Sequence, residues 1–225
     1  MNAIESIDWF PFWLSLRVAF LATIIAVVLG LGVAYLLVHT RFRGRNLIET
    51  ACTLPIVLPP TVLGYYLLVL LGRSSPIGQI YEQVFDSPLV FTWQAAVIAA
   101  CIHATPLLVR AGRAAFQSVD HTLENVARSL GASEWRVFWR VTLPLAKRSI
   151  AAAAVFSFAR SLGDFGATIM IAGNIPGQTQ TMSVAIYDAY QSGNTMVANV
   201  LVIILSLMAL LVLFLINRAT ERKDF

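Results

Sequence analysis

The chain has 225 residues, 58% hydrophobic and only 12% charged, with a formal net charge of +4. Soluble domains carry roughly 25% charged residues, so half that share excludes a large soluble domain and points to an integral membrane protein. The basic excess flanks apolar runs, which favours a lipid bilayer as partner and excludes nucleic acid.

Residues 1–11 hold Glu5 and Asp8 and no basic stretch, so a cleavable signal peptide is not expected there. Trp9, Phe10 and Trp13 suit a membrane interface, and Arg17 lies close enough to snorkel to it. Val18 to Val38 is free of charge and long enough for a first span, which needs about 20 apolar residues. Gly30 and Gly32 allow another helix to approach closely. A compact basic loop, His39 to Arg45, follows.

The second span is expected from about Leu47 to Leu71, with Pro55, Pro59 and Pro60 inside it. These prolines fit two readings, a kinked packing helix or a broken helix lining a pathway. Residues 73–92 read as a polar loop with a short helix around Ile80. The third span runs from about Trp93 to Val109, interrupted by His103 and Pro106. A lone histidine in a span reads first as a hydrogen-bonded packing residue, although intramembrane ionisable groups are also functional candidates.

After a long connection, Lys147 and Arg148 lead into a fourth span, Ser149 to Ala172. Asn174 to Gly177 forms a turn, Thr181 to Gln191 a short amphipathic helix, and Met196 to Ile216 the last span. Cys52 and Cys101 lie in or near apolar runs and show no metal or disulfide spacing. Residues 1–225 therefore read as one domain, an all-α polytopic membrane helix bundle with about five transmembrane helices.

Charge orients this bundle. Of the 16 lysines and arginines, all but Arg17, Arg73 and Arg160 fall in residues 39–46, 110–148 and 218–225, on one side of an alternating topology. The positive-inside rule makes that side cytoplasmic. The N-terminus is then outside and the C-terminus cytoplasmic.

The connection from Ser118 to Pro144 is too elaborate for a simple turn. Asp120 can cap a helix by accepting backbone N–H bonds. Leu123, Val126, Ala127 and Leu130 then recur at helical spacing and form one apolar stripe. Gly131 suits the left-handed residue that ends such a helix. Ser133 can cap a second helix with Trp135, Phe138 and Trp139 on one face, and Pro144 breaks the pattern before the next span. The plain reading is a segment lying on the membrane surface; the sharper one is a docking element for a soluble partner.

Arg160 and Asp164 stand at i and i+4 and are expected on one face of the fourth span. A lone charge in hydrocarbon costs at least about 2.5–3.5 kcal/mol. The favoured account is a structural ion pair beside a path, the alternative a transient site for a passing anion. Pro55, Pro59, Pro60, Arg160, Gly163, Asp164 and Gly166 are the residues expected along a path or gate.

The Ser118–Pro144 stretch resembles the "EAA" signature loop of ABC-importer permeases. Asn125-Val126-Ala127, Gly131 and Val141-Thr142-Leu143-Pro144 keep its spacing, with Asn125 where the family often has Glu and Val126 where it has Ala. Glu124 lies one position earlier, about 100° round the helix. The block Phe158 to Tyr187 and the segment Leu54 to Arg73 resemble molybdate-importer permeases, with Asp164 where Glu is usual.

The resemblance implies a bundle of the type I ABC importer permease kind. Its function would be ATP-driven import of molybdate, with tungstate as a second substrate. It also implies a homodimer, a dimer of cytoplasmic ATP-binding subunits and an extracytoplasmic molybdate-binding protein. Asp120, Leu123, Glu124, Asn125, Val126, Ala127, Leu130, Gly131, Ser133, Leu143 and Pro144 would then form the coupling loop. The chain carries no GxxxxGK[ST] phosphate loop, so it is expected to be non-catalytic and to hold no cofactor, with ATP and Mg²⁺ used by the partner. A sulfate or other oxyanion permease is the neighbouring reading. A passive channel and a membrane electron carrier are the readings from other classes. The last needs paired histidines or a cysteine cluster, and His39, His103 and His121 do not share a helix face in one span.

Overall fold

The computed structural model describes residues 8–40 and 43–221. Glu5, Arg41, Phe42, Arg222 and Lys223, which bear on the charge and topology expected from sequence, lie outside them. Every regular element among the described residues is helical. In order they are α1 (Phe10–His39), α2 (Arg45–Val57), α3 (Pro60–Leu71), α4 (Pro76–Phe85), α5 (Trp93–Gln117), α6 (His121–Ser129), α7 (Glu134–Val137), a π-helical turn (Phe138–Thr142), α8 (Leu143–Leu162), α9 (Gly166–Ala172), α10 (Met182–Gln191) and α11 (Thr195–Glu221). Among the described residues, four helices are long and apolar enough to cross a membrane, and five spans result if α2 and α3 count as one bent span.

The bundle is built on α1 and α5, the most extensive helix pair. Ala19, Ala22, Ala26, Gly30 and Ala34 recur every three or four residues and form a buried stripe of small side chains on α1. Water-free helix association relies on such close approach. A Cβ on Gly30 would meet Leu108 Cβ at 2.8 Å, and one on Gly112 would meet Leu31 Cδ2 at 2.7 Å. At the α1–α5 entrance the Arg17 guanidinium lies over the Trp93 ring, 3.8 Å from its centroid.

Several expected boundaries move. α1 begins at Phe10, so Phe10 and Trp13 belong to the first span and Trp9 precedes it. α5 runs through Pro106 to Gln117, well past Val109. Pro106 is buried in the bundle, where no water competes for the backbone and a proline does not end a span.

The second expected span is two helices, bent by 115° between α2 and α3. Residues before a proline are pushed out of the helical region. Leu58 and Pro59, preceding Pro59 and Pro60, are extended at ψ 138° and 135°. Pro60 then starts α3, where its missing N–H costs nothing. Pro55 stays inside α2 without ending it. The helix is broken at Pro59–Pro60 rather than merely kinked. An ion pair between Glu49 and Arg113 ties α2 to α5.

The fourth span likewise stops early, at Leu162, and α9 resumes at Gly166. It also begins early. α7, the π-helical turn and α8 form one helix from Glu134 to Leu162, so Pro144 does not break the pattern as expected. Leu143 N–H donates to Phe138 O across the wider π turn, and Pro144 follows at a first-turn position of α8.

Candidate functional site

Two places collect the residues singled out in the sequence. One is the connection between α5 and α8. Asp120 accepts a hydrogen bond from Thr122 N–H at 2.8 Å and caps α6. This backbone bond holds the Asp120 carboxyl below its usual range. Gly131 closes the helix at φ +81°. There Gly131 N–H donates to Arg128 O at 2.9 Å and Ala132 N–H to Ala127 O at 3.1 Å, the paired bonds of a Schellman ending.

Arg128 then grips Glu134 with two hydrogen bonds, Nε to Oε1 at 2.7 Å and Nη2 to Oε2 at 3.1 Å. This fork joins α6 to α7 across the glycine turn. Ser133 precedes α7, but its side chain makes no capping bond, a departure from the cap expected there. Arg128 already anchors the start of that helix through Glu134.

The predicted stripe faces outward. Leu123, Val126 and Leu130 are exposed, Leu130 at 82%, and Ala127 is half-buried. Asn125 is exposed and accepts from Arg128 Nη1 at 3.0 Å. Leu143 is half-buried and packs into the aromatic and aliphatic cluster of Ala34, Phe116, Val119 and Ile150. Pro144 is exposed.

Glu124 departs from the group. About 100° round the helix from Asn125, it is 1% exposed and points into the protein. Thr142 Oγ1 donates to Glu124 Oε1 at 2.6 Å. His39 Nε2 lies 3.4 Å from Oε1, His121 Nδ1 3.2 Å from Oε2 and Arg128 Nη2 3.7 Å from Oε2. Burial alone would raise this carboxyl, but the bonds from Thr142, His121 and His39 outweigh it and hold it below the ordinary carboxylate range.

The second place is where the two interrupted helices meet. Gly166, the first residue of α9, abuts Pro60, the first of α3; a Cβ on Gly166 would lie 2.7 Å from Pro60 Cβ. One turn on, Gly64 faces α9 so closely that a Cβ there would meet Met170 Cβ at 2.6 Å. Pro59 and Pro60 on one side and Gly163 to Gly166 on the other thus lie at facing breaks. Pro55 stays one turn back in α2.

Asp164 sits in the second break, 4% exposed. Its expected partner Arg160 is present, but at 3.7 Å and with a side chain 38% exposed. Because α8 ends at Leu162, the two do not share a helix face. The closer partners are His103 Nδ1 at 2.7 Å and Thr168 Oγ1 at 2.6 Å. A carboxylate only accepts, so Nδ1–H of His103 is the donor. His103, read from the sequence as a packing residue, is hydrogen-bonded as expected, but to the buried acid. A histidine in one span and an acid in another was the available signal. No group of three or more His, Cys, Asp or Glu among the described residues is placed to hold a metal ion.

Residues 12–223 match the family described as binding-protein-dependent transport system inner membrane component. The chain belongs to this family. The permease is 45% identical to the molybdenum transport system permease ModB of Escherichia coli K12 over 185 residues, 82% of this chain and 81% of that one. It is 42% identical to ModB of Haemophilus influenzae over 214 residues, 93% of each chain. Among solved structures, the inward-facing MetNI methionine ABC transporter has the same fold, with a TM-score of 0.71 at 20% identity, covering 98% of both chains.

Membership makes the permease an inner membrane component of an ABC importer and a subunit that is not itself catalytic. Its fold is that of the type I importer permeases.

Proposed function

We propose that this permease is the membrane path of a molybdate importer, driven by a separate ATPase. The substrate class rests on the relatives at 42–45% identity that carry molybdenum transport in their names. ATP coupling rests on one feature, the exposed apolar stripe Leu123, Val126 and Leu130 on a short helix fixed at both ends. Exposed apolar groups on a rigid polar loop call for a protein partner.

In this reading the loop faces the cytoplasm, and the N-terminus lies outside. Two copies of the chain enclose the path, and an external binding protein delivers the oxyanion. ATP and Mg²⁺ act in the partner, whose closure moves the loop and hence the spans between two packed arrangements. The facing breaks at Pro59–Pro60 and Gly163–Gly166 serve as the gate, with Arg160 as a weak anion contact and Asp164 opposing tight binding. The test is uptake into vesicles holding the permease, its ATP-binding subunit and its binding protein. ATP-dependent molybdate uptake, with tungstate competing and sulfate not, is expected. Uptake blocked only by sulfate points to a sulfate permease, and uptake without ATP to a channel.

A further inference from the structure

The stripe on α6 leaves its opposite side unexplained. That side carries Glu124, the one buried carboxylate among the described residues of the connecting loop. Groups from three elements converge on it. His39 comes from the last turn of α1, His121 and Arg128 from α6 itself, and Thr142 from the π-helical turn. His39 is itself held, its ring stacked on Tyr35 at 4.1 Å and Nδ1 lying 3.2 Å from Tyr35 O. Tyr35 packs edge-on against Phe138 at 4.9 Å and Phe116 at 5.9 Å.

We infer that Glu124 is a positioning residue that latches the coupling helix to the first span, so that α6 and α1 move as one body when the ATPase partner acts. This deepens the proposed function and rests on α6 being the docking helix. Without this contact, α6 is joined to the spans through its chain ends and the Arg128–Glu134 fork. The fork reaches the Glu134–Leu162 helix and not α1, so Glu124–His39 is the described polar link from α6 to α1.

A buried, ionised acceptor suits this role. Hydrogen bonds to a charged group are roughly twice as strong as neutral ones. An apolar contact slides without a preferred register, whereas a carboxylate between Thr142 and His39 has one. The two His39 nitrogens face Tyr35 O and Glu124 Oε1, so the ring sits between two fixed oxygens.

The experiment uses the assembled complex, with spin labels on cysteines replacing Ser129 of α6 and Leu29 of α1, both exposed. The 129–29 distance should stay constant between nucleotide-free and ATP-bound states in the otherwise wild-type permease. His39→Phe keeps a ring on Tyr35 but removes the bond to Glu124. In that variant the distance should change with nucleotide, and oxyanion moved per ATP hydrolysed should fall about fivefold or more. Glu124→Gln should behave the same, and the double variant no worse than either single one. A distance unchanged by nucleotide in His39→Phe, a transport-to-hydrolysis ratio at the wild-type value, or failure of both single variants to assemble overturns the latch. Failure of the proposed function reads differently: the unsubstituted complex takes up no molybdate, while the distance still reports the latch.

Discussion

Pro60 and Gly166 touch across the breaks of two helices far apart in sequence, with no room for a single added carbon at position 166. Gly163, three residues away, has space for one: a Cβ there would have only Arg160 O within 4 Å, at 3.9 Å. Gly166→Ala should therefore destabilise the fold by about 1–3 kcal/mol through overpacking, while Gly163→Ala should be tolerated. Thermal unfolding of the two variants in detergent gives the comparison. Equal melting temperatures would remove the steric argument.

His103 is the main support of a buried acid. Removing one partner of a buried pair costs about 3–5 kcal/mol because the other charge is left behind. His103→Ala should lower the melting temperature more than Arg160→Ala, since Arg160 stands farther off and is partly exposed. The reverse order would make Arg160, not His103, the main support of Asp164.

At φ +81° Gly131 occupies a backbone region that costs other residues roughly 1–2 kcal/mol. Nothing lies within 4 Å of a Cβ there, so the strain is conformational only. Gly131→Val should leave membrane insertion intact and lower ATP-coupled uptake. Full uptake at the wild-type rate of ATP hydrolysis is the result that would remove the loop from coupling.

The two caps of the loop make opposite predictions. Asp120 bonds the Thr122 N–H, and the Ser133 side chain makes no capping bond. Asp120→Ala should destabilise α6 by about 1 kcal/mol, with faster proteolysis of the loop. Ser133→Ala should lie within roughly ±0.5 kcal/mol of wild type.

Acid should release the loop. The Glu124 carboxyl is held below its usual value, so its contribution is complete above the ordinary glutamate value of about 4.3 and lost as pH falls through the lower folded value. Loop protection against an acid-tolerant protease should hold at about pH 5 and above and drop below about pH 4. Glu124→Gln should flatten that drop.

The identity of the spans was legible because hydropathy needs only neighbouring residues. The loop helices were legible for the same reason: Asp120, the stripe and Gly131 act within α6 itself. The helix breaks were half legible. Pro59–Pro60 announced one, but the second, after Leu162, holds Asp164 against His103, a residue 61 positions away. The partners of Glu124 were hidden for a related reason. Its position on α6 was correct, but its partners His39 and Thr142 lie 85 and 18 positions away, and a stripe of apolar residues says nothing about what the other side touches. Ser133 was a permitted cap whose capping role went unused.

The continuity of Glu134 through Leu162 has a mechanical consequence. At 1.5 Å per residue those 29 residues make a rod about 43 Å long. Its near end is gripped by Arg128, and its far end stops one residue short of Gly163 and two short of Asp164. A tilt of about 5° over that length displaces the far end by ~4 Å, as much as the separation of two carbon atoms in contact. A modest nudge at the loop end of the rod is thus geometrically sufficient to part the two helix breaks at its other end.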